Sequence, residues 1–316
     1  MVVDVVVDEV VDDVVDEESV SKSSGIVDDT TDVDDAELSV RVAIGGSAFV
    51  TDEEHPTTAN IPISVIVTNL MPPPRGHATV MAVRPFDVIA FDADDTLWHS
   101  EDGFNAAERR FHELLEPYAS PGVSVRDALT AMERVNLPIY GYGVKAFGLS
   151  MVEAALTIGQ DRVPTTVFAE IVDITRDLML APVRLLPDVS SVLDTVGAHY
   201  RVVMITKGDL IHQTRKVTTS GLQHLFSHVE IVLEKDVPTY ERVIRELNVH
   251  HERFCMIGNS VKSDVLPVLD VGGHAVHVPY PHLWELEKAE VLPTGPRFAE
   301  LAHLRDLPDW LEIPAH

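Results

Sequence analysis

The run Val88-Ile89-Ala90-Phe91-Asp92-Ala93-Asp94-Asp95-Thr96-Leu97 decides how the rest of this chain is read. An apolar stretch of strand length delivers Asp92 and Asp94, two positions apart, to the place where the strand ends. Side chains alternate along a strand, so Asp92 and Asp94 would share a face if the strand continued between them. A buried strand ending in paired carboxylates must hold them with a cation, with donors or with a shared proton. Phosphoryl chemistry uses such an arrangement: one carboxylate attacks, another handles protons, and a metal offsets the crowded charge. Taken alone, the run also reads as an Asp-rich turn or helix cap after a core strand.

Three later segments fit the same site. Arg201-Val202-Val203-Met204-Ile205-Thr206-Lys207-Gly208 is a strand-like run closing on a hydroxyl and a glycine. The Thr206 hydroxyl and the backbone N–H groups of the Thr206-Lys207-Gly208 turn are donors suited to a phosphoryl oxygen. Lys235 follows the run Val229–Glu234, where it could neutralise both an attacking carboxylate and the group being transferred. Phe254–Ser260 ends a fourth strand, and Asp264 lies one turn into an expected helix. Asn259 and Asp264 offer oxygen ligands to a hard cation such as Mg²⁺. Each segment has an ordinary reading as a turn or a surface lysine. Together they place four polar clusters at the C-terminal ends of apolar strands, the edge where open α/β sheets bind ligands.

In order and content these segments resemble the four motifs of the haloacid dehalogenase (HAD) superfamily of phosphohydrolases. Phe91–Leu97 is similar to the first motif, Thr206 marks the second, Lys235 the third, and Gly258-Asn259-Ser260 through Asp264 the fourth. The resemblance covers roughly residues 84 to 310 and implies a Rossmann-like parallel sheet with an inserted helical cap. It further implies Mg²⁺-dependent hydrolysis of a small phosphomonoester, with Asp92 as nucleophile and Asp94 as general acid and base. Thr206 and Lys235 would hold the phosphoryl oxygens, and Asp92, the Asp94 carbonyl, Asn259 and Asp264 would hold the metal. Many relatives carry Asp where this chain has Asn259, whose amide oxygen ligates without charge. A dehalogenase attacks carbon and releases halide without a proton, so an acid/base at Asp94 favours the phosphatase. A binding or regulatory protein on the same scaffold is the alternative from another class; it has no need of the whole set Asp92, Asp94, Thr206 and Lys235.

Charge and composition bound the remaining possibilities. The net charge of −27 over 316 residues argues against a general nucleic-acid surface. The single cysteine, Cys255, excludes an internal disulfide framework and favours a reducing cytoplasm. No secretory signal or spanning segment is visible, since the apolar stretch Ile61–Met71 is far short of the ~20 residues a spanning helix needs. Half of that negative charge, −14, falls in residues 1–80, and the first 20 residues include 10 Val and 8 Asp or Glu. Residues 1–80 therefore read as an acidic low-complexity tail: disordered, paired with a partner, or not native. Val and Asp codons differ only at the second base, so a GC-rich untranslated stretch would read as this mixture, with Met81 as the natural start.

The core is expected over 84–100 and 184–316, where strands alternate with helices. Residues 101–183 carry helical periodicity at Gly103–Tyr118, Val125–Val135, Lys145–Ile158 and Thr165–Leu180, punctuated by Pro121, Pro138 and Pro164. An all-helical insertion there would close over the site, exclude water and choose the substrate. An Asp-capped helix, Asp188–Val196, then leads back to the sheet. For the substrate itself, Trp98 could stack a base and Lys145, in the Tyr140–Lys145 stretch, could meet an anion; packing and a solvated surface are the plain readings. His274 and His277, and the pair His250-His251, make no convincing transition-metal site.

Overall fold

The computed structural model describes residues 39–44, 63–68, 85–289 and 291–314. Among the described residues eight strands form one sheet: β1 (Ser39–Ile44), β2 (Ile63–Thr68), β3 (Val88–Phe91), β4 (Arg201–Lys207), β5 (His228–Val232), β6 (Phe254–Gly258), β7 (His274–His277) and β8 (Phe298–Glu300). Their order is β1-β2-β5-β4-β3-β6-β7-β8. The six from β5 to β8 are parallel, and β2 adds antiparallel beside β5, with β1 antiparallel to β2. The rest of the 1–80 tail, and Met81, lie outside the described residues.

β3 sits at the centre, and all four of its residues are buried because helices cover both faces. Alternation sorts them: Ile89 and Phe91 join the core that packs against α5 (Val189–Gly197), while Val88 and Ala90 join the one under α7 (Val237–Glu246). Burial alone thus explains why this run reads as unbroken apolar sequence before the aspartates.

The cap has a separate core. Helices α1 (Glu101–Leu115), α2 (Val125–Tyr140), α3 (Val144–Gly159) and α4 (Thr165–Leu180) pack around Phe111, Leu129, Met151 and Ile171. Two linkers join it to the sheet and pair with each other, His99 N–H donating to Arg184 O at 3.0 Å and Leu186 N–H to Leu97 O at 2.9 Å. Among the described residues no helix is long and apolar enough to cross a membrane.

Two local expectations change. The second cap helix runs through Pro138 to Tyr140 instead of ending at Val135. Pro138 lies in the last turn, Asn136 is tied to Ser150 Oγ at 3.1 Å on α3, and the helix stops at Gly141, whose φ of 70° releases the chain. Asp188 precedes α5 but its carboxylate does not cap it; with φ at 65° its backbone carbonyl accepts instead, from Val192 N–H at 3.0 Å.

Candidate active site

The chain leaves β3 at Phe91 and turns at once, which changes how the two aspartates come together. Asp92 N–H still donates to Ile257 O at 2.9 Å, but Ala93 O accepts from Leu97 N–H at 2.8 Å and Asp95 takes φ 59°. A turn, not strand alternation, brings both Asp92 and Asp94 to a cavity of about 1000 Å³ between sheet edge and cap. Asp95 faces the cap: its carboxylate accepts from the backbone N–H groups of Ser100 at 2.8 Å and Glu101 at 3.1 Å. It thereby caps α1. Burial, and the neighbouring Asp94 charge, push its carboxyl up to about 8.

Lys235 is the pivot of the floor. It is 3% exposed, and its ammonium donates to Asp92 Oδ1 and, at 2.7 Å, to Asp264 Oδ1. Burial works against its charge, but the two carboxylates outweigh it and hold the ammonium above its usual range. Burial pushes the Asp92 carboxyl up; Lys235 opposes that and Asp264 adds to it. Asp264 enters on a π-helical turn, Val261–Val265, ahead of α8 (Leu266–Asp270), with its Oδ2 accepting Ser260 N–H at 2.9 Å. Gly258 makes room for it: a Cβ there would lie 2.2 Å from Asp264 Oδ2. Asn259 Oδ1 and Asp92 Oδ2 both lie within reach of the Thr96 hydroxyl, at 3.4 and 3.3 Å, and His277 Nε2 is 3.0 Å from the Asn259 carbonyl.

Thr206 is the penultimate residue of β4 and is 1% exposed. Gly208, with φ 138°, turns the chain into α6 (Leu210–Thr219), whose first turn is capped by the Asp209 carboxylate accepting His212 N–H at 2.9 Å. From α6 come three cavity residues that sequence reasoning passed over: His212, Gln213 and Lys216. Lys216 Nζ contacts both Asp94 oxygens, at 2.5 and 2.7 Å, and Gln213 Nε2 reaches Asp94 Oδ2 at 3.1 Å and Thr206 Oγ1 at 2.7 Å. Burial alone would raise Asp94; Lys216 and the Trp98 indole outweigh it and hold the carboxyl below its usual range. Burial, then Lys216, pushes His212 down to about 4. The only sequence signal was the spacing of His212, Gln213 and Lys216, which puts them on one helix face.

Three expected substrate contacts are redistributed. Trp98 is fully buried in the core and does not line the cavity; its indole N–H donates to Asp94 Oδ1 at 2.6 Å. Lys145 is also absent from the lining, because in the first turn of α3 it pairs with Asp209 at 2.8 Å. Lys207 does line the cavity, but a segment after β7 claims its ammonium: Glu287 Oε1 at 2.6 Å, with Ser263 Oγ at 2.8 Å and the Tyr142 ring 4.0 Å away. Glu287 and Trp284, on that segment, had no sequence signature.

Oxygen donors dominate the floor. Asp92, Asp94, Asp95 and Asp264 face two lysines, Lys216 and Lys235. Among the described residues, no three His, Cys, Asp or Glu side chains gather closely enough to hold a metal unaided. An ion held here would draw on an amide, a backbone carbonyl and water as well, the usual habit of Mg²⁺.

Comparison with known proteins agrees with this geometry. Residues 86–272 match the family described as haloacid dehalogenase-like hydrolase. A haloacid dehalogenase-like family hydrolase from Xanthomonas campestris is 38% identical, with a TM-score of 0.66 over 73% of this chain and 93% of that one. A predicted phosphoglycolate phosphatase from Haemophilus somnus shares the fold at 17% identity and TM-score 0.50, over 72% of this chain and 99% of its own. A glyceraldehyde 3-phosphate phosphatase from Methanothermobacter thermautotrophicus is 30% identical over 111 residues, 34% of this chain. The chain spans about half, 49%, of that curated relative. With its motifs at the strand ends and its matched span covering more than half its length, the chain belongs to the haloacid dehalogenase-like hydrolases.

Proposed function

We propose that the protein hydrolyses a small phosphomonoester through a phospho-aspartyl intermediate on Asp92. The observation that carries this reading is the convergence of Asp92, Asp94, Thr206 and Lys235, from three strand ends, on one cavity. An Asp92 oxygen bonds to phosphorus as the bond from phosphorus to the leaving oxygen breaks, and Asp94, held ionised in the resting site, takes a proton from the monoanionic ester and passes it to that oxygen so that an alcohol departs. Water then attacks the same phosphorus and loses a proton to Asp94. The bond to Asp92 breaks, returning the carboxylate and releasing phosphate. Lys235 favours the ionised form of Asp92 against the effect of burial and offsets charge on the phosphoryl oxygens, toward which the Thr206 hydroxyl donates.

The donors fit Mg²⁺. Asp92 Oδ2 and Asn259 Oδ1 share the single proton of the Thr96 hydroxyl, which leaves hard oxygen lone pairs unserved in a floor with excess negative charge. Asp92, Asn259 and the Asp94 carbonyl would hold the ion, with Asp264 behind them steadying Lys235. Bound there, Mg²⁺ would relieve the repulsion between the carboxylates and a phosphate dianion. The phosphatase relative from Methanothermobacter thermautotrophicus supports an ester substrate. A proton-handling Asp94 is of use to an alkoxide and of none to a halide.

The test is phosphate release by the full chain from sugar phosphates, nucleoside monophosphates and phosphoglycolate, with and without Mg²⁺, and with Asp92→Asn as control. Release that needs the metal and vanishes in the variant is the expected result. Absence of release from every ester by folded protein with metal present would overturn the reading.

A further inference from the structure

We infer that Gln213 and Lys216 are positioning residues for Asp94, and that the Gln213 contact is the one that opens to let a leaving oxygen or a water reach the Asp94 carboxylate. The consequence for turnover rests on the phosphatase reading; the geometry does not. An ionised carboxylate has about four lone-pair positions. At Asp94 four contacts fill them: Oδ1 takes Trp98 Nε1 at 2.6 Å and Lys216 Nζ at 2.5 Å, while Oδ2 takes Lys216 Nζ at 2.7 Å and Gln213 Nε2 at 3.1 Å. A carboxylate so saturated cannot meet a leaving oxygen or a water until one contact gives way.

Gln213 is the contact least able to persist. Its amide nitrogen carries two protons but faces three acceptors: Thr206 Oγ1 at 2.7 Å, Lys207 O at 3.0 Å and Asp94 Oδ2 at 3.1 Å. Asp94 is the most distant, and releasing it leaves both amide protons bonded. Lys216 and Trp98 are held differently, being 8% and 0% exposed and contacting Asp94 at shorter range. They fix the carboxylate while Oδ2 is freed toward the cavity. The Gln213–Thr206 bond has a second effect. A hydroxyl that accepts from the amide turns its own proton away from it, which leaves that proton for a phosphoryl oxygen. One face of α6 thus orients both the proton-transfer group and a phosphate donor.

The assay compares an alkyl phosphate with 4-nitrophenyl phosphate, whose phenolate departs without needing a proton. Lys216→Met should lower kcat on the alkyl ester by about 10²-fold with little change in KM, and lower it less on the aryl ester. In an Asp94→Asn background the same substitution should cause almost no further loss, since Lys216 acts through Asp94. Equal losses on both esters, or an undiminished loss in the Asp94→Asn background, would overturn the inference. Gln213→Leu keeps every charge in place and guards against a Lys216 variant that fails to fold. It should move the Trp98 indole N–H resonance, identified by its response to Asp94→Asn, and reduce alkyl-ester turnover about tenfold. An unmoved resonance would overturn the clamp. A moved resonance in a protein whose wild type releases no phosphate would break the phosphatase reading and leave the clamp standing.

Discussion

The two walls of the cavity are built on opposite terms. On the sheet side Asp92, Thr206, Lys235 and Asp264 are each no more than 6% exposed, and every one of them is tied to a side-chain partner. On the cap side Glu101, Glu108 and Glu133 stand half-buried on α1 and α2 among Phe104 and Phe147. Burial, with Glu108 nearby, pushes Glu101 and Glu133 up to about 7. The lysines of the floor have made their choices of carboxylate. Those of the cap wall have fewer cations, Arg126 lying 3.4 Å from Glu108. Under the proposed chemistry the reaction would be set by residues that cannot shift singly, whereas the leaving group would meet a surface that one substitution can change.

The largest test of that contrast is Asp92→Asn, which should lower turnover at least about 10³-fold while the fold survives, since the amide keeps the shape and can still meet Thr96. Steady-state kinetics beside a thermal melt would check it; a variant within tenfold of wild type would remove Asp92 from the chemistry. Next comes Asp264→Ala. It strips a buried lysine of one partner and should cost about 3–5 kcal/mol of stability, measured by denaturant unfolding. Glu133→Ala on the cap wall should cost well under 1 kcal/mol, as partly exposed positions do. Equal costs would erase the distinction between the walls.

The same contrast explains what could be read beforehand. Val88–Phe91 is buried on both faces, so its composition announces a central strand, and residues leaving such a strand have little freedom of place. Asp92, Thr206, Lys235 and Asn259 were therefore legible as one cluster. The helices of the cap were legible too, because each buries one stripe: Thr165–Leu180 stands at its expected bounds. Contacts fixed by tertiary geometry were not. Trp98 looked available to a ligand because nothing local shows that the linker Val183–Leu186 folds back over it, pairing at Leu185. Glu287 reaches Lys207 across 80 residues, and Lys216 reaches Asp94 across 122. No periodicity encodes such meetings.

A pH titration of stability sharpens the comparison without any substrate. Carboxyls raised in the folded state bind protons more tightly there than in the unfolded chain. Their contribution is fully present below the ordinary carboxylate range and is lost as pH rises through about 7 for Glu101 and Glu133 and about 8 for Asp95. Asp94 and Glu287 shift downward, so their contributions change only in more acid solution. His212, pushed down to about 4, adds stability as pH climbs from there to the ordinary imidazole value of 6.5 and adds nothing further above it. The metal-free protein should therefore melt at steadily lower temperature from pH 6.5 to 8.5, and Glu133→Gln should flatten that slope. An upward slope in that window would show that the carboxylates of both walls are already served by cations.

The smallest expected effect is at Lys145, and it decides whether the cap wall extends the electrostatics of the floor. Its side chain is 51% exposed and its ammonium pairs with Asp209 at 2.8 Å, so the pair is worth about 0–1 kcal/mol and is weakened by salt. Asp209 has a heavier task, since the same carboxylate caps α6, and the helix carries Gln213 and Lys216. Loss of that cap should cost about 1 kcal/mol. Lys145→Ala should thus leave kcat/KM within about twofold, while Asp209→Ala lowers both stability and kcat by loosening α6. Gly143 keeps the two walls in touch at this point, because a Cβ there would stand 2.7 Å from Asp209 N. A tenfold rise in KM for Lys145→Ala alone would mean that Lys145 leaves Asp209 for the ester when the cap closes. The wall that reads the leaving group would then begin at α3, and the division between floor and cap would have to be redrawn through Asp209.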